Sequence, residues 1–481
     1  MTFINFEDLN IDNMILRAIK DLGYDTPTKV QQEIIPSVLE GRDIVVKSET
    51  GSGKTAAYGI PLCEKLMIEE NDPQALILTP TRELAVQVKN DITSIGRYKK
   101  IRCASVFGKQ PMQTQIRELK QRVHAVVGTP GRVFDHIQKG NLILTGIKYL
   151  ILDEADEMLS MGFIEQVEDI IKLIPRERVT MLFSATIPEV INKLSSSYMR
   201  NPLFIEINPG KLTVENIDQY YYEINEEKKF ELLLRILYIE NPESCLIFCR
   251  TKERTANLAG RLKQQGLECH ELHGGMMQDE RLATMESFKR GAYRFLIATD
   301  VAARGIDIEE VTHVINFDIP LEKERYVHRI GRTGRAGSIG NAITFLTPYE
   351  NKFRKEIEEY IDMEIPNRTI PSREEAEDYK EAFLERNSIK PKIKVDKSTK
   401  LNKSITKLYI GGGRKNKIRP SDIVGAISNI DGIVGEDIGI IDILDYVSYV
   451  DIMNGKGDIV LHTLQNGKIK GRPLRVEKSD K

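Results

Sequence analysis

Three short runs hold residues whose types and order suit phosphate chemistry. SETGSGKT, residues 48–55, follows the apolar run DIVVK and precedes an amphipathic stretch. Glycines in such a loop let backbone N–H groups curl around phosphate oxygens at a helix N-terminus. Ser48, Glu49, Thr50, Gly51, Ser52 and Gly53 would form that cradle, with Ser48 where the first glycine of such loops usually stands. Lys54 would reach the β- and γ-phosphates of a nucleotide, and Thr55 would hold Mg²⁺. DEAD, residues 153–156, ends the run IKYLIL. A carboxylate at the tip of a buried strand suits metal-side chemistry: Asp153 would bind Mg²⁺ through water, and Glu154 would orient and deprotonate an attacking water. HRIGRTGR, residues 328–335, places arginines between glycines. That pattern suits stabilisation of phosphoryl charge by an arginine brought in from a second domain.

The elements that must position these groups are legible as strand-length apolar runs. DIVVKS, ALILTP, HAVVGTP, YLILDEAD and VTMLFSAT each end in small, polar or charged residues. Buried parallel strands with function at their C-terminal ends have that texture. CLIFCRT, FLIATD, THVINFD and NAITFLT form a second series, with helical patterns such as ANLAGRLKQQG between them. The simplest architecture is two consecutive α/β domains, 1–210 and 211–365, joined near Asn208–Asn216. Residues 366–403 are highly charged and read as a helix followed by a linker. A further domain is expected over 404–481.

The composition fits a multidomain globular chain of 481 residues, 41% hydrophobic and 29% charged, with a net charge of -2. No apolar run approaches the roughly 20 residues that span a bilayer, and the N-terminus lacks a secretory pattern. No membrane role and a cytoplasmic location are expected. The five cysteines (63, 103, 245, 249 and 269) have neither zinc-ligand nor disulfide-framework spacing, as suits a reducing compartment. Cys245 and Cys249 in SCLIFC read as small buried hydrophobes.

With these runs in hand, residues 1 to about 365 resemble the DEAD-box RNA helicases of superfamily two. The resemblance implies two tandem RecA-like domains that use ATP and Mg²⁺ to act on RNA. GYDTPTKVQ (23–31) looks like the family's Q motif, so Gln31 would read the adenine edge, with Tyr24 beside it and Phe6 as the upstream aromatic. PTRELA and TPGR resemble contacts to the RNA backbone, which assigns Pro80, Thr81, Arg82, Thr129, Gly131 and Arg132 to RNA. SAT, with Ser184 and Thr186, resembles the element linking hydrolysis to strand separation. LIFCRT, QDER (278–281) and ATDVAARGIDI continue the series. They imply RNA contacts at Arg250, Thr251 and Thr299, and nucleotide contacts at Gly305 and Asp307, the latter near the ribose. Arg332 and Arg335 become γ-phosphate ligands, and His328 an interdomain coupler. The family often has a glycine pair on its RNA face; here Gly108 is followed by Lys109.

The tail reads strand–helix–strand–strand–helix–strand from TKLYIGG to RPLRVEK, the split βαβ order of an RNA-recognition motif. Its stacking signature is reduced to Tyr409 on the first strand and Tyr449 on the third. A basic loop, Arg414, Lys415, Lys417 and Arg419, follows the first strand and suits phosphate contacts. The tail resembles that of the bacterial DbpA/YxiN-like group, which implies targeting to a hairpin of large-subunit ribosomal RNA in pre-ribosomal particles. No obligate protein partner is evident.

The expected function is ATP-dependent local unwinding of RNA duplexes during large-subunit assembly. The alternative is a general RNA chaperone or ATP-gated clamp whose tail binds RNA non-specifically or docks a protein. A DNA helicase would share the phosphate loop but not the Q motif with DEAD, SAT and HRIGRTGR. A small-molecule phosphotransferase would leave the second α/β domain unexplained.

Overall fold

The computed structural model describes residues 5–48, 53–206, 216–303, 311–334, 339–389, 391 and 404–479. The chain divides into two compact units, one made of residues 1–207 with 396–481 and the other of residues 208–395.

The first unit holds a parallel seven-stranded sheet: β1 (Ile44–Lys47), β2 (Ala75–Leu78), β3 (Cys103–Val106), β4 (Ala125–Gly128), β5 (Tyr149–Leu152), β6 (Val179–Ser184) and β7 (Leu203–Glu206). Their order across the sheet is β3-β4-β2-β5-β6-β1-β7. Both faces are covered by helices, so the strands are apolar on both sides. Ile77 and Ile151 pack into the core on one face, and Leu76, Leu78, Leu150 and Leu152 into the core on the other.

The second unit repeats the plan with β8 (Ile217–Glu223), β9 (Cys245–Cys249), β10 (Cys269–Leu272), β11 (Phe295–Thr299), β12 (His313–Asn316) and β13 (Gly340–Leu346). The order is β10-β11-β9-β12-β13-β8, all parallel. The charged segment after this sheet contains the helix Arg373–Ser388. Its Phe383 is fully buried in the second core, 5.1 Å from the ring of Tyr238 and 6.2 Å from that of Phe295.

The tail, which belongs to the first unit, is a four-stranded antiparallel sheet of β14 (Thr406–Ile410), β15 (Ile438–Ile443), β16 (Ser448–Ile452) and β17 (Val476–Lys478). Its order is β15-β16-β14-β17. The helices Pro420–Ser428 and Gly457–Asn466 share its apolar core through Ile423, Ile427, Val460 and Leu464. Among the described residues no helix is long and apolar enough to cross a membrane. All five cysteines are free and buried; burial pushes the Cys63 thiol up to about 12 and that of Cys269 to about 11.

Candidate active site and nucleic-acid interface

Among the described residues of the first unit, those expected to do phosphate chemistry lie at the C-terminal ends of three neighbouring strands, β5, β6 and β1. Glu49, Thr50, Gly51 and Ser52 lie outside the described residues. The flanks of their loop are well placed. Ser48 N–H donates to the Ser184 carbonyl at 3.0 Å, tying the end of β1 to the end of β6. Gly53 starts the helix Lys54–Lys65 with φ 83°. A Cβ there would lie 2.9 Å from Nε2 of Gln31, so both backbone and space call for glycine.

Lys54 is buried and its Nζ donates to the Ser48 carbonyl at 3.1 Å. Asp153 ends β5, 3% exposed. Its Oδ2 accepts from the Tyr58 hydroxyl at 2.9 Å, whereas among the described residues Oδ1 is buried with no hydrogen-bond partner. Burial raises the Asp153 pKa, and the nearby Lys54 charge opposes that rise. Tyr58, one turn along the helix from Lys54, is fully buried and hydrogen-bonded also to the Thr55 side chain. Among the described residues no three His, Cys, Asp or Glu side chains cluster to hold a metal. A cation here would meet one unpaired carboxylate oxygen and the Thr55 hydroxyl, hard donors that fit Mg²⁺, which is held by few protein oxygens together with phosphate and water.

Glu154 adopts a left-handed conformation, φ 53° and ψ 54°, and starts the helix Ala155–Ser160. That turn carries Asp156 to the SAT segment. Oδ2 of Asp156 accepts from both the backbone N–H and the hydroxyl of Thr186, at 2.9 and 3.1 Å. The Asp156 N–H donates to Ser184 Oγ at 3.2 Å, and Ser184 Oγ–H donates to the Thr186 carbonyl at 2.6 Å. Gln31 is buried and works in a capping box, its Oε1 accepting from Thr28 N–H at 2.9 Å while Nε2 donates to the Gly53 carbonyl at 3.4 Å. Phe6 is buried in the first core, and Tyr24 packs at its edge.

The expected RNA residues of the first domain occupy the other half of the same edge, at the ends of β3, β4 and β2. Pro80 and Thr81 follow β2, and Thr81 caps the helix Arg82–Ile95 by accepting from Leu84 N–H at 3.3 Å. Arg82 packs beside Gly108, where a Cβ would come within 3.4 Å of its guanidinium. Lys109 is exposed and takes φ 62°, a region that costs a side-chain-bearing residue and suits the glycine often found there. Thr129 opens the helix Pro130–Gln138. A Cβ on Gly131 would lie 3.2 Å from Gln166 Oε1, and Arg132 Nη1 donates to the Gln110 carbonyl and Gln115 Oε1, both at 3.0 Å.

In the second unit Arg250 and Thr251 follow β9, and Thr299 ends the adjacent β11. Asp318 Oδ2 accepts from Arg250 N–H at 2.9 Å, and Glu350 Oε1 accepts from Arg250 Nη2 at 2.6 Å. Thr251 caps the helix Lys252–Gln264. His328 lies in the helix Lys323–Ile330, and the buried Arg332 donates through Nε to the His328 carbonyl at 3.2 Å. The first arginine of the run, Arg329, points inward and pairs bidentately with Asp300 at 2.5 and 2.7 Å. Gly305, Asp307 and Arg335 lie outside the described residues.

On the tail, Tyr409 and Tyr449 are cross-strand partners with ring centroids 5.8 Å apart. The basic loop is held by its backbone. Gly413 admits no Cβ, which would lie 2.2 Å from the Leu444 carbonyl. Arg414 and Lys415 N–H donate to the Leu444 and Asp445 carbonyls, both at 2.8 Å, and Lys417 takes φ 61°. The side chains of Arg414, Lys415, Lys417 and Arg419 are exposed. Among the described residues, Arg414, Lys415 and Lys417 form no ion pair.

Tyr58, Asp156 and Asp300 are the site-supporting residues that sequence reasoning passed over. Tyr58 stands four residues after Lys54, the spacing that puts two side chains on one helix face. Asp156 lies inside the DEAD run itself.

Comparison with known families matches residues 28–194 to the DEAD/DEAH box helicase family, 228–337 to the helicase conserved C-terminal domain and 407–478 to the DbpA RNA binding domain. The chain is 57% identical to the ATP-dependent RNA helicase DbpA of Bacillus subtilis strain 168, over 99% of this chain and 100% of that one. It is 45% identical to the DEAD-box ATP-dependent RNA helicase CshA of Geobacillus kaustophilus, over 77% of this chain and 79% of that one. Among solved structures, S. cerevisiae Dbp5 bound to RNA and ADP BeF3 superimposes with a TM-score of 0.71 and 31% identity, covering 79% of this chain and 99% of that one.

Proposed function

Because the chain belongs to the DbpA-like DEAD-box ATP-dependent RNA helicases, RNA-stimulated ATPases with an RNA-binding C-terminal domain, we propose that its tail addresses the helicase to a hairpin of large-subunit ribosomal RNA during ribosome assembly in the cytoplasm. The observation carrying this reading is the rigid, outward-facing basic loop. Its backbone is fixed by Gly413 and by bonds to the Leu444–Asp445 turn, so Arg414, Lys415, Lys417 and Arg419 present a defined spacing of cations. A fixed spacing selects among RNA shapes, where a flexible basic tail would bind any phosphate chain.

In the same proposal Gln31 and Tyr24 receive the adenine, and Lys54 leaves the Ser48 carbonyl for the β- and γ-phosphates. Thr55 and Asp153 would hold Mg²⁺, which when bound would supply positive charge to offset that of the phosphate oxygens. Glu154, turned by its left-handed backbone, takes the proton of the attacking water. Arg332 and Arg335 stabilise charge on the transferred phosphoryl group, and His328 couples the two domains. Asp156 carries the state of the DEAD turn to Thr186, and thereby to the RNA-facing residues Thr81, Arg82, Gly108, Thr129, Gly131 and Arg132 on the same sheet edge.

The test is competition binding of the full chain to a large-subunit ribosomal RNA fragment and to unrelated RNA of equal mass. Lys415→Ala with Lys417→Ala is expected to weaken the ribosomal fragment by roughly tenfold while leaving unrelated RNA within about twofold. Equal loss on both would remove the address and leave a general RNA grip.

A further inference from the structure

The helix Met112–Leu119, between β3 and β4, buries one residue, and that residue is polar. Gln115 is 0% exposed, while the apolar Met112, Ile116 and Leu119 stay half-buried. A helix that gives its core position to an amide must gain hydrogen bonds there, because a buried polar group without partners is costly.

Both ends of this amide are fully engaged. Gln115 Nε2 donates to the Phe107 carbonyl at 2.8 Å and to Gln110 Oε1 at 2.7 Å. Its Oε1 accepts from Arg132 Nη1 at 3.0 Å and from His136 Nε2 at 2.9 Å. A carbonyl cannot donate and a guanidinium cannot accept, so the orientation of the amide is settled by its partners. The buried His136 must then carry its proton on Nε2. Arg132 closes the ring by donating through the same Nη1 to the Gln110 carbonyl at 3.0 Å.

These bonds join two segments that leave different strands. Phe107 to Gln110 follow β3, whereas Arg132 and His136 lie on the helix after β4. The ladder between the strands ends where Thr129 N–H donates to the Val106 carbonyl at 3.1 Å. Past that point the tie is made by side chains. The two donors of Gln115 grip residues 107 and 110, which bracket Gly108 and the left-handed Lys109. Its acceptor holds Arg132 by Nη1, and among the described residues Nη2 has no partner, which leaves it for a phosphate oxygen.

We propose that Gln115 is the positioning residue of the first domain's RNA grip, fixing the FGKQ turn and the Arg132 guanidinium at one spacing so that they hold a strand as a unit. This rests on the reading that Arg132 and the Gly108 turn face RNA. Without the amide, turn and arginine would each have to be ordered when RNA binds, which weakens binding.

The test follows ATP turnover by the full chain against the concentration of a short oligo(U), an RNA with no hairpin for the tail. Arg132→Ala should raise the half-saturating concentration about tenfold. Gln115→Met, close in volume but without amide hydrogen bonds, should also raise it about tenfold and leave maximal turnover within about twofold. In the Arg132→Ala background the same substitution should add no more than about threefold, because a residue acting through another is not additive with it. Gln115→Glu keeps an acceptor for Arg132 and His136 but has no N–H for the Phe107 carbonyl, and should give about threefold. Thermal unfolding reports that each variant is folded; should Gln115→Met fail to fold, Gln115→Glu must show its rise with maximal turnover retained. No effect of Arg132→Ala would overturn the RNA reading of this face and the proposal with it. An effect of Arg132→Ala with none from either Gln115 variant would overturn the proposal alone. So would a fall in maximal turnover at unchanged half-saturation, the mark of a merely structural residue, or a full tenfold effect of Gln115→Met in the Arg132→Ala background.

Discussion

Thr186 grips Asp156 by two bonds, its backbone N–H and its hydroxyl both reaching Oδ2, at 2.9 and 3.1 Å. This joins the turn after β5 to the segment after β6, so a displacement of Glu154 is felt at SAT. Hydrogen bonds to a charged acceptor contribute about 1.5–3 kcal/mol. Asp156→Asn is therefore expected to slow duplex release roughly tenfold or more, with a smaller loss in RNA-stimulated ATP turnover. Parallel assays of unwinding and phosphate release on one preparation check this; equal losses in both would mean the clasp serves hydrolysis alone.

Asp153 must be ionised to hold a divalent cation, and burial raises its pKa. Its acid limb should thus lie at higher pH than that of an ordinary carboxylate, and should move to lower pH as Mg²⁺ is increased, because proton and cation compete for Oδ1. The stability of the free protein should move the other way. The folded state binds this proton more tightly than the unfolded state, so protonation of Asp153 favours the fold as pH falls towards the ordinary carboxylate pKa. Tyr58→Phe removes the hydroxyl on Oδ2 and should raise the Mg²⁺ concentration needed for half-maximal turnover by a few fold, about 1 kcal/mol. A pH profile at several Mg²⁺ concentrations decides the point.

Gly53→Ala forces a side chain into a left-handed backbone position and against Gln31 Nε2. The strain is of order 1–2 kcal/mol, and it falls where the Q motif meets the phosphate loop. ATP affinity is expected to drop roughly tenfold, while RNA binding without nucleotide is retained. Equilibrium titration with a fluorescent nucleotide measures the first, and filter binding the second.

Much of this arrangement was legible because the decisive strands are short apolar runs ending in chemistry. β1, β2, β4, β5 and β6 could be read as DIVVKS, ALILTP, HAVVGTP, YLILDEAD and VTMLFSAT. β3 is CASV, small and interrupted by a serine, and all four of its residues are buried. β8, IDQYYYE, carries charges that end up at exposed positions, and β10, CHEL, has an exposed His270 and a half-buried Glu271, so they do not read as buried strands. Roles depending on which way a side chain turns were also hidden. Arg329 and Arg332 look alike in HRIGRTGR, yet Arg329 is spent on Asp300, Asn316 and the Asp318 carbonyl. The sheet order β3-β4-β2-β5-β6-β1, which separates the residues proposed to face RNA from those proposed to face nucleotide along one edge, comes from pairings distant in sequence that no local pattern encodes.

The helix Arg373–Ser388 looks polar along its length, and Phe383 is the one large side chain it buries in the second core. Phe383→Ala empties a fully buried position between Tyr238 and Phe295, which should cost about 3–5 kcal/mol. Denaturant unfolding of the full chain is expected to resolve an earlier transition for the second unit. An unchanged midpoint would mean this helix contributes nothing to that core.

An ATP-driven RNA motor aimed by its tail must turn over ATP according to which RNA it meets. ATP turnover by the full chain should be measured without RNA, with a large-subunit ribosomal RNA fragment, and with an equal mass of unrelated RNA. Low turnover without RNA, stimulation by both RNAs, and half-saturation by the ribosomal fragment at a concentration at least roughly tenfold lower are expected. Identical half-saturation by the two RNAs would contradict the addressed-motor claim, and no stimulation by either would contradict the motor itself.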